Sequence, residues 1–151
     1  MIRRCKPDDI DEVAHLAILM GKATSEEDVA DRIGLIQERS EHLLCVADVK
    51  GAILGYAWAQ DYEPHLRSGE SVVRIHDLFV RTGKRRHGIG SALFSYVRNW
   101  ATERGVTYIQ WQASPAALPF YRSLGLAGDP CPDPDHPFFE IILEGGTGRR
   151  W

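Results

Sequence analysis

Apolar residues recur along this chain in two rhythms, and the switches between them divide it into elements. Residues 2–5 read as a short first strand. Pro7 and Asp8 open a helix with apolar positions Ile10, Val13, Ala14, Ala17 and Ile18, which Gly21 ends. Ser25 with Asp28 three residues on resembles a capping box, and Val29, Ile33 and Ile36 give a second helix one apolar face. Residues 42–49 and 52–60 read as strands joined by a tight Lys50-Gly51 turn. Residues 62–69, with Pro64 and His65, form a loop, and residues 72–80 form the next strand.

Helical spacing then returns in Ile89, Leu93, Tyr96, Val97, Trp100 and Ala101, which predicts a helix over residues 90–104 stopped by Gly105. Residues 107–112 are β-branched and aromatic, hence a strand. Strand, helix and strand at this spacing make a parallel, right-handed βαβ unit. Ser114-Pro115 opens a short helix bearing Leu118, Tyr121 and Leu124, with an irregular start at Pro119 and Gly125 as its stop. Residues 129–137 hold four prolines and read as a loop, residues 138–143 as a final strand, and residues 145–151 as a loose tail. The order β-α-α-β-β-β-α-β-α-β predicts a mixed α+β domain over residues 1–144, its sheet covered by helices on its faces.

Composition narrows the class. A chain of 151 residues with 44% hydrophobic and 26% charged residues can bury a core of its own. A net charge of -3 argues against a protein built to coat nucleic acid. No apolar run has the length of a membrane span, and the N-terminus lacks a secretory h-region, so a cytoplasmic location is expected. Cys5, Cys45 and Cys131 are far apart and without a CxxC, which predicts reduced thiols and no metal site.

The chemistry concentrates after the strand ending at Val80. Thr82-Gly83-Lys84-Arg85-Arg86-His87-Gly88-Ile89-Gly90-Ser91 is a basic loop that opens the long helix. Free backbone amides at a helix N-terminus form a ready anion site, and glycine at 88 and 90 lets a diphosphate approach without a Cβ in the way. The loop is not a Walker sequence, because the Ser/Thr after lysine is missing. Nor is it a dinucleotide fingerprint, because the third glycine is missing.

On these residues the chain resembles the GCN5-related N-acetyltransferase (GNAT) superfamily, from residue 2 to about residue 143. The family's acetyl-CoA signature, Arg/Gln-x-x-Gly-x-Gly/Ala, appears as Arg85-Arg86-His87-Gly88-Ile89-Gly90 after the strand end Asp77-Leu78-Phe79-Val80. Phe120-Tyr121-Arg122-Ser123-Leu124-Gly125-Leu126 is similar to its Phe/Leu-Tyr-x-x-x-Gly-Phe segment. One departure stands out. An asparagine that often helps hold the cofactor is replaced at the aligned position by Ser114, and Asn99 on the long helix cannot stand in for it.

The resemblance implies a central twisted mixed sheet of six to seven strands flanked by about four helices. It also implies acetyl transfer from acetyl-CoA to a primary amine in a ternary complex, with no covalent enzyme intermediate and no metal. Arg85, Arg86, His87, Gly88, Ile89, Gly90 and Ser91 would hold the pyrophosphate. Leu78, Phe79 and Val80 would pair with the pantetheine arm, with a backbone N–H near Phe79 on the thioester carbonyl, and Ser114 would complete the contacts.

Tyr121 would protonate the leaving thiolate; its other reading is a core tyrosine on an amphipathic helix. His76 and Asp77 are the candidate bases for the incoming amine, directly or through water. His76 is preferred for its ordinary pKa near 6.5, and Asp77 is expected on the other side of the strand. A buried, backbone-satisfied His76 is the competing reading. Glu63 and His65 could orient an amine or simply be solvated. Homodimerisation is an expectation from the superfamily alone, and the acceptor is left open. Two other functions fit less: an acyl-CoA sensor of the same fold without turnover, and a nucleic-acid module using residues 81–86, whose cluster lacks interleaved aromatics.

Overall fold

In the computed structural model, which describes residues 1–85, 87–130 and 132–145, the chain gathers into two compact units, Met1–Gln112 and Ala113–Trp151. The first unit holds one five-stranded sheet in sequential order. Its strands are β1 (Ile2–Arg4), β2 (His42–Val49), β3 (Ala52–Pro64), β4 (Ser71–Val80) and β5 (Tyr108–Gln110). β1 to β4 pair antiparallel, and β4 pairs parallel with β5. The sheet is therefore mixed, as the resemblance implies.

Helices α1 (Ile10–Met20) and α2 (Glu26–Gln37) follow β1. A single 3-10 turn, Pro7–Asp9, leads into α1, where proline's fixed φ suits a helix start. Ser25 Oγ accepts the Asp28 N–H at 3.1 Å and caps α2. Val13, Ala14 and Leu16 of α1 and Ile33 of α2 pack with Leu44, Val46, Tyr56 and Phe79 on one sheet face. Burying each of the larger side chains contributes about 1.5–3 kcal/mol. Helix α3 (Ile89–Glu103) buries Leu93, Phe94, Val97, Trp100 and Ala101, and Leu93 meets the alternate side-chain set of the sheet beside Gly55 and Val80. No helix among the described residues is long and apolar enough to cross a membrane.

The second unit begins with the 3-10 turn Pro115–Ala117 and the short helix α4 (Leu118–Ser123). This is the short helix with an irregular start expected around Pro119.

Three expectations change. The predicted sixth strand, residues 138–143, is no strand: Phe139 and Ile141 are each 86% exposed. An apolar run becomes a strand only where a neighbouring strand takes up its backbone groups, and the described sheet ends at β5. β3 continues to Pro64 instead of ending at Gln60, because a bulge at Glu63 (φ 62°), whose N–H donates to Asp61 Oδ1 at 2.8 Å, carries the ladder on to Ser71. β5 is three residues where six are expected, because only Tyr108, Ile109 and Gln110 pair with β4. Cys131 and residues 146–151 of the expected tail lie outside the described residues.

Candidate active site

Among the described residues, the last residues of β4 pair on one side only. β5 pairs with Val72, Val73 and Arg74 and then stops, while β4 runs on to Val80. The Arg81 N–H donates to the Leu54 carbonyl at 2.8 Å, and this bond fixes the phase of the antiparallel ladder. Asp77 and Phe79 therefore direct their backbone groups to β3, and Leu78 and Val80 direct theirs to the side that β5 has left. Consistent with this phase, the Val80 carbonyl accepts Arg85 Nε at 3.0 Å. Arg85 also lies over the Phe79 ring at 5.5 Å, so its side chain pins the loop to the strand end.

Gly88, the N-cap of α3, has φ 81°, a left-handed conformation that side chains resist. A Cβ built there meets nothing within 4 Å, so the space over this glycine is open. The Ala92 N–H donates to the Gly88 carbonyl at 3.0 Å, which leaves the N–H groups of Ile89, Gly90 and Ser91 without an intrahelical acceptor. No acidic residue lies in that first turn. His87 Nδ1 donates to the Arg85 carbonyl at 2.7 Å and holds the loop's shape. Amides with no acceptor inside the helix, the positive end of that helix and an open glycine fit a diphosphate. Arg86 lies outside the described residues.

His76 and Asp77 share a sheet face, contrary to the expectation from strand alternation. Trp58 is opposite Asp77 but Ala59 is opposite Ile75, so His76 is the extra residue of a β-bulge. The bulge turns both side chains toward Tyr56, Trp58 and Gln60, which alternate along one face of β3. His76 stacks on Trp58 with ring centroids 4.3 Å apart and donates from Nε2 to Gln60 Oε1 at 3.1 Å. Asp77 Oδ2 accepts the Tyr56 hydroxyl at 2.9 Å.

Their proton affinities move in opposite directions. Burial, with Arg74 and His42 adding to it, pushes His76 down to about 4, which removes the reason for preferring it as base. Burial raises Asp77 above the ordinary carboxylate range, and the Tyr56 hydrogen bond works against that rise.

Glu63 and His65 serve the loop. His65 Nδ1 accepts the backbone N–H groups of Arg67 and Ser68 at 3.2 and 3.4 Å. In the second unit, Ser114 is the N-cap of the 3-10 turn, and Tyr121 sits on α4 with its ring edge-on to Phe120, 4.9 Å between centroids. Burial raises the Tyr121 phenol above its ordinary value, so it carries its proton at neutral pH.

Sequence reasoning missed Tyr56, Trp58 and Gly55. Alternation of Tyr56, Trp58, Gln60 and Tyr62 was the available signal for one functional face. Gly55 lies opposite Val80, and a Cβ there would stand 2.6 Å from the Phe79 carbonyl oxygen. Its absence lets β3 approach the end of β4.

A family model described as the acetyltransferase (GNAT) family matches residues 11–126. No curated protein matches the chain significantly. Among solved structures, an acetyltransferase from Trypanosoma brucei superposes with a TM-score of 0.74 at 21% identity, covering 95% of this chain and 99% of that one. Glucosamine-6-phosphate N-acetyltransferase from Arabidopsis thaliana gives 0.75 at 17%, covering 93% and 98%. AAC(6')-Iy, in complex with a CoA bisubstrate analogue, gives 0.76 at 18%, covering 95% and 97%. At these identities the three share the fold of this chain.

Proposed function

Since this chain belongs to the acetyltransferase (GNAT) family, we propose that it is an N-acetyltransferase that moves the acetyl group of acetyl-CoA directly onto a primary amine, within a single domain of residues 1–144. The observation that carries this reading is the one-sided end of β4 beside an uncovered helix N-terminus: Leu78 and Val80 present backbone groups where β5 has stopped, next to the open Gly88. A solved neighbour that holds a CoA analogue on the same fold supports it.

Acetyl-CoA supplies an acetyl group activated as a thioester. The N–H groups of Ile89, Gly90 and Ser91, with Gly88, His87 and the neighbouring Arg86, bind the pyrophosphate through hydrogen bonds and the helix dipole. Arg85 acts mainly by holding the loop on Val80 and Phe79. Leu78 and Val80 offer hydrogen bonds to the pantetheine amides, and the Leu78 N–H is the donor suited to the thioester oxygen as it gains negative charge.

An ammonium has no lone pair, so the acceptor must lose a proton before it attacks. Asp77 takes that proton, and His76, uncharged at neutral pH, lines the approach. The amine nitrogen then forms a bond to the acetyl carbon, the carbon–sulfur bond breaks, and the thiolate takes a proton from Tyr121. Tyr121 and Ser114 enter this scheme through the motif resemblance, and a homodimeric assembly through the superfamily alone.

Thiol release from acetyl-CoA measured across a panel of amines tests the proposal. Amine-dependent release supports it. Tight cofactor binding with no release from any amine would make the protein an acyl-CoA sensor instead.

A further inference from the structure

The sheet face around Asp77 has a composition that selects among amines. Outward along it come the rings of Trp58, His76 and Tyr62. Trp58 and His76 lie 4.3 Å apart with planes tilted by 35°, and Tyr62 stands 6.3 Å from His76 at 58°. The first two are held in place. Trp58 Nε1 donates to His42 Nδ1 at 3.1 Å, and His76 is bonded to Gln60. Tyr62 is 51% exposed and forms the outer end of the wall.

Charge on this face is sparse. Of the three carboxylates on β3 and β4, Asp61 is buried and locked to Arg104 at 2.7 Å and Glu63 is exposed at the bulge beside Tyr62, so Asp77 is the carboxylate that lies next to Tyr56 and the His76 and Trp58 rings. Burial keeps both His42 and His76 uncharged at neutral pH. Arg74, whose Nη2 donates to Gln112 at 3.4 Å, is the one cation on this face of the two strands, and its field reaches His76.

One carboxylate can receive one ammonium. A second or third positive charge on the acceptor would meet uncharged rings and the Arg74 field. An aromatic body would instead gain offset or edge contacts with three rings, and its ammonium would lie over π faces on the way to Asp77. We propose that the acceptor is an arylalkyl monoamine, its ring seated against Trp58, His76 and Tyr62 and its amine at Asp77. This rests on the transferase reading and names its acceptor class; polyamines and aminoglycosides are the classes it rejects.

The test compares kcat/KM for 2-phenylethylamine, butylamine, spermidine and kanamycin on the wild-type protein and on Tyr62→Ala, a change at a half-exposed ring that leaves the core intact. In parallel, the Trp58 indole N–H resonance is followed on titration with each amine. The expected result is a preference of about tenfold or more for 2-phenylethylamine over the others, with the ratio to butylamine falling toward one in Tyr62→Ala. Better turnover of spermidine or kanamycin, a ratio untouched by Tyr62→Ala, or no response of the Trp58 resonance to any amine would overturn the assignment. Binding of 2-phenylethylamine at Trp58 with no acetylation of any amine would sink the transferase reading while leaving the aryl seat standing.

Discussion

The Tyr56 hydroxyl and the Asp77 carboxylate are joined by a 2.9 Å hydrogen bond on the α1 side of the sheet. Tyr56 is almost wholly buried, and its hydroxyl also lies 3.5 Å from Met20 Sδ at the end of α1. The pair ties a side chain of β3 to the candidate base on β4 and fixes the direction of that carboxylate.

Tyr56→Phe should shift the pH profile. The hydrogen bond lowers the proton affinity of Asp77 while burial raises it. Without the hydroxyl, burial is unopposed and Asp77 holds its proton to higher pH. A base must be ionised to work, so the acid limb of kcat/KM should move upward in pH while acetyl-CoA affinity stays constant. An unmoved limb would remove this couple from the reaction.

Asp77→Asn and His76→Gln should separate the two candidate bases. Losing a general base lowers kcat by about 10²–10⁴-fold, and that loss is expected for Asp77→Asn. His76, held to about 4, is a poor proton acceptor, so His76→Gln should act chiefly on the KM for the amine. Steady-state kinetics at saturating acetyl-CoA distinguish the two, and a larger kcat loss in His76→Gln would reverse the assignment.

Gly88→Val should weaken coenzyme A binding. At φ 81° a side chain costs about 1–2 kcal/mol of strain, and the new atoms would fill the open space over the helix N-terminus. Isothermal titration should show at least a tenfold weaker Kd. Undiminished affinity would refute the cradle.

Gly55→Ala should destabilise the fold at the point where β3 lies against Phe79 and Val80. A Cβ 2.6 Å from the Phe79 carbonyl forces β3 and β4 apart, and overpacking of this kind costs about 1–3 kcal/mol. Urea unfolding should show the lowered midpoint, and wild-type stability would mean that the strands separate freely at this point.

Tyr121→Phe should lower turnover by about tenfold or more while acetyl-CoA affinity is kept, because the phenol is asked only to give a proton. Single-turnover kinetics with a good acceptor check this, and unchanged turnover would return Tyr121 to a packing role.

How much of this was legible in advance depends on the reach of each signal. The helical turn that Pro7 opens ahead of α1, the Ser25 cap and β2 at His42–Val49 depend on neighbours within four residues or on a long run of one rhythm, and all were readable. Residues 138–143 carried the same apolar signal as β2. They form no strand, because strand formation depends on a partner that the local pattern does not contain.

By itself the sequence determined the succession of elements, the glycine loop opening α3 and the two motif segments of the family, since turns, caps and helix faces are written in adjacent residues. Tertiary structure decided which face His76 and Asp77 share, because the extra residue of a bulge appears only when β4 is laid against β3. It also decided their proton affinities, which depend on burial and on Tyr56, twenty-one residues away in the chain. Those properties arise from contacts between strands, and no single stretch of residues encodes them.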